Sequence, residues 1–127
     1  MRLLLIVVVI NWFFIFNDSE KKTNIIFENK IVKLDSIEQG TIVKGEYSFK
    51  NIGQNDLVIE YVNPDCICTG YRLSDSIICP DDWGVLELEF DTKKDLGNKK
   101  LVAIMKANTE CKFYKLILKV NIIKSKK

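Results

Sequence analysis

From Thr41 to Ile123 apolar and polar residues alternate with a period of two, and that period fixes the class of fold. Successive side chains of an extended strand leave on opposite faces, whereas a helix repeats its apolar positions every three or four residues. Val43, Gly45, Tyr47 and Phe49 alternate with Lys44, Glu46, Ser48 and Lys50, which gives one dry face and one wet face. Leu86, Leu88 and Phe90 alternate in the same way with Glu87 and Glu89. In the last segment Tyr114, Leu116, Leu118, Val120 and Ile122 belong to the core side, with Lys115, Lys119 and Asn121 outside. Leu57, Ile59 and Tyr61 share one face of a further strand, which runs into Asn63-Pro64. Proline there withholds an amide and interrupts regular pairing.

Turn-forming residues punctuate these runs. Ile52-Gly53-Gln54-Asn55-Asp56, the proline-led Cys79-Pro80-Asp81-Asp82-Trp83-Gly84, Asp95-Leu96-Gly97-Asn98 and Asn108-Thr109-Glu110 all separate strands, since glycine and asparagine accept the dihedrals of tight turns and proline presets one of them. Thr69 to Ile78 reads as a hairpin with Ser74 and Asp75 at its tip, a register that sets Cys79 opposite Gly70 and diagonal to Cys68. Ile25 to Leu34 carries enough β-branched residues for one or two short strands. About seven short strands in a chain of this length predict an all-β fold, a single antiparallel sandwich of immunoglobulin-like architecture over residues 24–123. The Cys-Trp-Cys hallmark of antibody domains is missing. Trp83, placed in a turn, reads as a plug over one end of the sandwich, with an exposed recognition aromatic as the alternative.

The N-terminal residues 1–20 read as a targeting segment. Met1 and Arg2 give a positive start, and Leu3 to Phe16 is apolar except for Asn11. As a helix this run would measure roughly 21 Å, short of the roughly 30 Å hydrocarbon core of a bilayer. It fits the apolar region of a secretory signal, although no small-x-small cleavage site follows. An uncleaved membrane anchor is the alternative. No cysteine follows the run for lipid attachment. Residues 124–127 form a basic tail.

Net charge is +2 over 127 residues, with lysines and carboxylates interspersed. No nucleic-acid footprint results. The chain contains no histidine, which removes Ser-His-Asp and Cys-His catalysis together with His-ligated zinc and copper. Asp81-Asp82 and Glu87/Glu89 lack calcium-loop spacing and read as solvated carboxylates.

Chemistry, if any, rests on the four cysteines Cys66, Cys68, Cys79 and Cys111. Export to an oxidising compartment favours disulfides, with three complete pairings open. Direct closure of Cys66 on Cys68 is the disfavoured pairing, because strand neighbours two apart lie near the roughly 6.8 Å upper limit for a bridge. A soft-metal site for copper or zinc, built on Cys66 and Cys68 and extended by Cys79 and Cys111 should all four converge, is the rival reading. A redox-active pair is a third. Asp65 beside Cys66 opposes it by raising the thiol pKa.

Phe49-Lys50-Asn51-Ile52-Gly53, then Leu57-Val58-Ile59, then Cys66-Ile67-Cys68-Thr69, then Pro80 ahead of a strand ending Phe90-Asp91, together resemble the bacterial domain-of-unknown-function 1573 family. The similarity runs from about Lys33 to Ile122. It implies a secreted or envelope-anchored β-sandwich related to major-sperm-protein-like domains, with no established enzymatic activity. Two residues depart from the family pattern. Ile67 stands where the family has glycine, which favours extended backbone over a φ-positive loop. Asp81 stands where glycine follows proline, which favours a type I turn over type II. Cys79 and Cys111 fall outside the pattern. The resulting expectation is a non-catalytic module of the bacterial cell envelope, without a cofactor. Its partners would be envelope proteins met through a strand edge or the end loops, and it would touch a membrane only through an uncleaved N-terminal segment.

Overall fold

The computed structural model describes residues 21–126. The segment read as a signal or anchor lies outside them, as does Lys127. Among the described residues nine strands form: β1 (Ile25–Phe27), β2 (Ile31–Glu38), β3 (Ile42–Asn51), β4 (Leu57–Pro64), β5 (Thr69–Leu73), β6 (Ile77–Ile78), β7 (Trp83–Asp91), β8 (Gly97–Ala107) and β9 (Phe113–Ile123). They build a four-stranded sheet in the order β1-β3-β7-β5 and a five-stranded sheet in the order β2-β9-β8-β4-β6. Successive strands therefore alternate between the two sheets all the way to β8. Only β8 and β9 are joined as neighbours of one sheet.

The alternating runs supply the inner faces. Val43, Tyr47 and Phe49 of β3 and Leu86, Leu88 and Phe90 of β7 pack against Leu101, Ala103 and Met105 of β8 and Leu116, Leu118, Val120 and Ile122 of β9. Pairing is antiparallel except between β2 and β9, which run parallel, so the sandwich is mixed rather than wholly antiparallel. The β2–β9 ladder shifts register between Leu34 and Ile37, around Ser36 at φ 56°. A second irregularity, in the β4–β8 ladder between Ile59 and Tyr61, corrects the expectation for β4. One extra residue reverses which side faces inward, so Val62 is buried and Tyr61 is exposed.

The Thr69–Ile78 hairpin does not form. β5 pairs with β7 in one sheet and β6 with β4 in the other, because the pair Leu57 and Val58 takes Ile77 and Ile78 as its edge partner. From Pro64 to Trp83 the chain crosses between the sheets three times. The third crossing is the turn Cys79–Asp82, closed by the Asp82 amide on the Cys79 carbonyl at 3.1 Å. Asp81 occupies its third position at φ 68°, the left-handed dihedral of a type II turn. The type I expectation is thus overturned. The turn is also held from outside: the Asp81 amide donates to the Asn51 carbonyl at 2.9 Å, and the Asn51 amide donates to the Asp82 carbonyl at 3.1 Å. Trp83 begins β7 instead of plugging the sandwich; it stands 54% exposed, with the Lys50 ammonium 5.9 Å from its ring centroid.

Asn51 is fully buried, and its side chain serves four partners. Its Oδ1 accepts from Thr23 Oγ1 at 2.7 Å and from the Gly53 amide at 3.1 Å. Its Nδ2 donates to the Asn55 carbonyl at 2.8 Å and the Ile78 carbonyl at 2.9 Å. Gly53 is required here by contact: a Cβ would collide with Thr23 Oγ1 and come within 2.6 Å of the Asn24 backbone nitrogen. Across the sandwich, Tyr47 donates its hydroxyl to the Ile117 carbonyl at 2.6 Å, tying β3 to β9. Burial holds the Tyr47 phenol well above its ordinary pKa.

Two stability measurements check this account. Asn51→Ala strands the polar groups it serves and should cost about 3 kcal/mol in denaturant unfolding. Tyr47→Phe should cost about 1 kcal/mol at neutral pH. It should also flatten the alkaline limb of the stability profile. Above pH of about 10 the unfolded phenol ionises and the folded one does not, so the native state binds the extra proton and loses stability as pH rises.

Candidate functional site

The loop from Asp65 to Cys68 is the first of the three crossings, carrying the chain from β4 to β5. Asp65 extends the β4–β8 ladder by one residue: its amide donates to the Val102 carbonyl at 2.8 Å, and its Oδ1 accepts from the Val102 amide at 3.2 Å. A turn follows, closed by the Thr69 amide on the Cys66 carbonyl at 3.1 Å. Ile67 at its tip is completely exposed. No residue of this turn has a positive φ, so isoleucine is accommodated where glycine would also fit. The backbone is nonetheless not extended. Cys66 and Cys68 are brought to a Cα separation of 5.2 Å and joined in a disulfide.

The disfavoured pairing is therefore the one observed. The strand geometry on which the disfavour rested does not apply, because the thiols lie in a corner between sheets. Cys66 is half-buried against the core, while Cys68 is exposed and its amide donates to Cys66 Sγ at 3.2 Å. Cys79 and Cys111 are free and exposed. Cys79 follows β6 in the opposite sheet from β5, so the Cys68–Cys79 link anticipated from the hairpin has no basis. Nor do the four sulfurs converge on one point: among the described residues no three cysteine or carboxylate side chains form a metal-binding group. Closing so short a loop restrains the unfolded chain by only about 1.6 kcal/mol. The bridge shapes the corner more than it stabilises the domain.

Beside this corner, Thr69 is buried, and its Oγ1 has no hydrogen-bond partner among the described residues. It opens β5, whose edge away from β7 has no strand partner among the described residues. Sequence reasoning located the Cys-x-Cys element and the strand but could not show that β5 is an outer strand, since edge position is a property of sheet order.

The model of the family described as "Protein of unknown function (DUF1573)" matches residues 25–122. The chain belongs to this family. The Cys66-Ile67-Cys68-Thr69 corner, the Asn51 hub and the Pro80-led turn are thus the structural places of its short motifs. No curated protein matches the chain significantly in sequence. Among solved structures, a protein of unknown function from Porphyromonas gingivalis W83 is similar at a TM-score of 0.72 and 12% identity, over 85% of this chain and 50% of that one. This chain thus spans half the length of that relative. The ASH / PapD-like domain 7 of human CEP192 is similar at a TM-score of 0.60 and 12% identity, over 88% of this chain and 95% of that domain. The secreted serine protease VesC from Vibrio cholerae is similar at 0.58 and 11%, over 85% of this chain but only 25% of the protease. These likenesses establish an immunoglobulin-like, PapD-like fold.

Alkylation followed by intact-mass measurement checks the thiol assignment. Cys79 and Cys111 should be modified without reductant, with Cys66 and Cys68 joining them only after reduction.

Proposed function

We propose that this domain is a non-catalytic interaction module of the exported bacterial envelope, and that it receives an extended peptide segment along β5. The observation that carries the reading is the unequal protection of the four sheet edges. β1 offers three residues and β6 two. β2 is long but is broken by its register shift at Ser36 and carries Lys33 and Asp35. Short, bulged and charged edges resist strand addition. β5 has none of these devices except Arg72. It is Thr-Gly-Tyr-Arg-Leu, regular in its pairing with β7, and Tyr71 stands 50% exposed along it.

A free strand edge recognises backbone through its unpaired amides and carbonyls, and adjoining side chains select the sequence added. Tyr71 and the exposed Ile67 flank the edge and supply apolar contact of that kind. Export is supported by two features. The apolar run Leu3–Phe16 resembles a secretory signal or anchor, and a Cys66–Cys68 bridge is a bond suited to oxidising compartments. Absence of histidine from the chain removes the commonest acid–base group, in keeping with a binding role.

Two experiments test this reading. Fractionation should place the protein outside the cytoplasm. A photo-crosslinking residue at position 71 should capture one discrete partner in intact cells, whereas the same residue at positions 26 or 35, on the protected edges, should not. Gly70→Lys should abolish capture while leaving the thermal midpoint nearly unchanged. Cytoplasmic retention would defeat the envelope assignment, and equal capture from all three edges would defeat the docking assignment.

A further inference from the structure

On the outer face of the five-stranded sheet, Lys33 of β2, Lys119 of β9 and Lys100 of β8 are direct cross-strand partners. Three ammonium groups thus stand in one row across three adjacent strands, spanning roughly 10 Å at the usual strand spacing. All three residues are exposed. Like charges placed directly opposite one another destabilise a sheet, and the surrounding residues do little to relieve it. Among the described residues, the ion pairs join Lys44 to Glu87, Lys99 to Asp95 and Lys106 to Glu60; none involves the row. Asp35 lies nearby but pairs with none of the three.

The row borders an open recess of about 320 Å³, which Asn98 and Asn121 also line. These two asparagines are themselves cross-strand partners, two residues along from Lys100 and Lys119. Neither amide side chain has a protein hydrogen-bond partner among the described residues. Asp35 and the Asp95-paired Lys99 line it as well, so the recess combines three lysines without an ion-pair partner among the described residues, one carboxylate and two uncommitted amide groups.

We propose that this face is a binding site for a ligand bearing several phosphate groups in line. A single carboxylate would neutralise one ammonium, whereas linked phosphates place charge at each position of the row and accept hydrogen bonds from the asparagines. The site is separate from the β5 edge, which belongs to the other sheet. It also lies away from the N-terminal junction. The Lys21 carbonyl is held by Asn108 Nδ2 at 3.0 Å, roughly 26 Å along the strand direction from Lys100.

The test titrates the full-length chain with inorganic tripolyphosphate while amide NMR signals are followed. A second arm uses vesicles of phosphatidylglycerol, and phosphatidylcholine vesicles serve as its control. Binding is expected to shift the signals of residues 33, 98–100 and 119–121 and to weaken as salt is raised. Lys119→Glu should weaken it by roughly tenfold or more and, with no ligand present, raise the thermal midpoint by roughly 3 °C as cross-strand repulsion becomes attraction. The milder Lys33→Gln/Lys100→Gln pair should weaken binding in a chain whose fold is left intact. Lys124→Gln, in the tail, should not. Tripolyphosphate binding without vesicle binding assigns a soluble ligand, and anionic-vesicle binding through the same residues assigns a lipid headgroup. Absence of shifts at the row in both arms, or equal weakening by Lys124→Gln and Lys119→Glu, would overturn the proposal.

Discussion

Asn51 commits all of its side-chain hydrogen-bonding capacity at the point where the chain's crossings between sheets meet. Its Oδ1 holds Thr23 and Gly53, and its Nδ2 holds Asn55 and Ile78. Its backbone pins both sides of the turn at Asp81 and Asp82. Through one residue Thr23 ahead of β1, the β3–β4 turn, the end of β6 and the start of β7 are fixed relative to one another. Asn51 is fully buried and its bonds to Thr23 and Ile78 are buried with it, so those two groups would stand unpaired and costly without it. A fold whose strands change sheet at nearly every step needs such a fastening, because few of its connections are tight hairpins that hold themselves.

That alternation also sets the character of the domain. Core contacts join residues distant in sequence, such as Tyr47 with Ile117, which makes folding dependent on non-local closure. It explains why the family's short motifs sit where they do. Phe49-Lys50-Asn51-Ile52-Gly53 supplies the hub and the glycine it packs against, Cys66-Ile67-Cys68-Thr69 makes one corner, and Pro80 starts another. In this arrangement the cysteines serve a change of direction. The face left free by it, the β5 edge, and the lysine row on the opposite sheet are where the surface departs from what stability alone would select.

Much of the fold was legible in the sequence. The alternating runs identified β3, β7 and β9 with their correct inner faces. Errors fell where one local event reversed a pattern. The irregularity after Ile59 turned Tyr61 outward and Val62 inward. Residues 69–78 look like a hairpin because both arms are β-prone and a polar tip separates them, yet their partners are β7 and β4. The site was less legible. Cys66 and Cys68 were singled out, but their bridge depends on a turn whose hydrogen bond, from Thr69 to Cys66, has no signature in residue type. Asp81 adopts a left-handed dihedral that glycine takes more readily, though aspartate tolerates it better than most side chains, and the two backbone bonds between the turn and Asn51 hold it there.

What the sequence determined by itself was the period of two, hence strands with one buried face, and the exclusion of histidine-dependent chemistry. Both follow from side-chain identity and local geometry alone. Which sheet each strand joined, which strand became a bare edge and which lysines came to face one another were decided only in three dimensions. Those outcomes depend on pairing between segments far apart in the chain, and a strand's own residues state which face is dry without stating which neighbour will cover its edge.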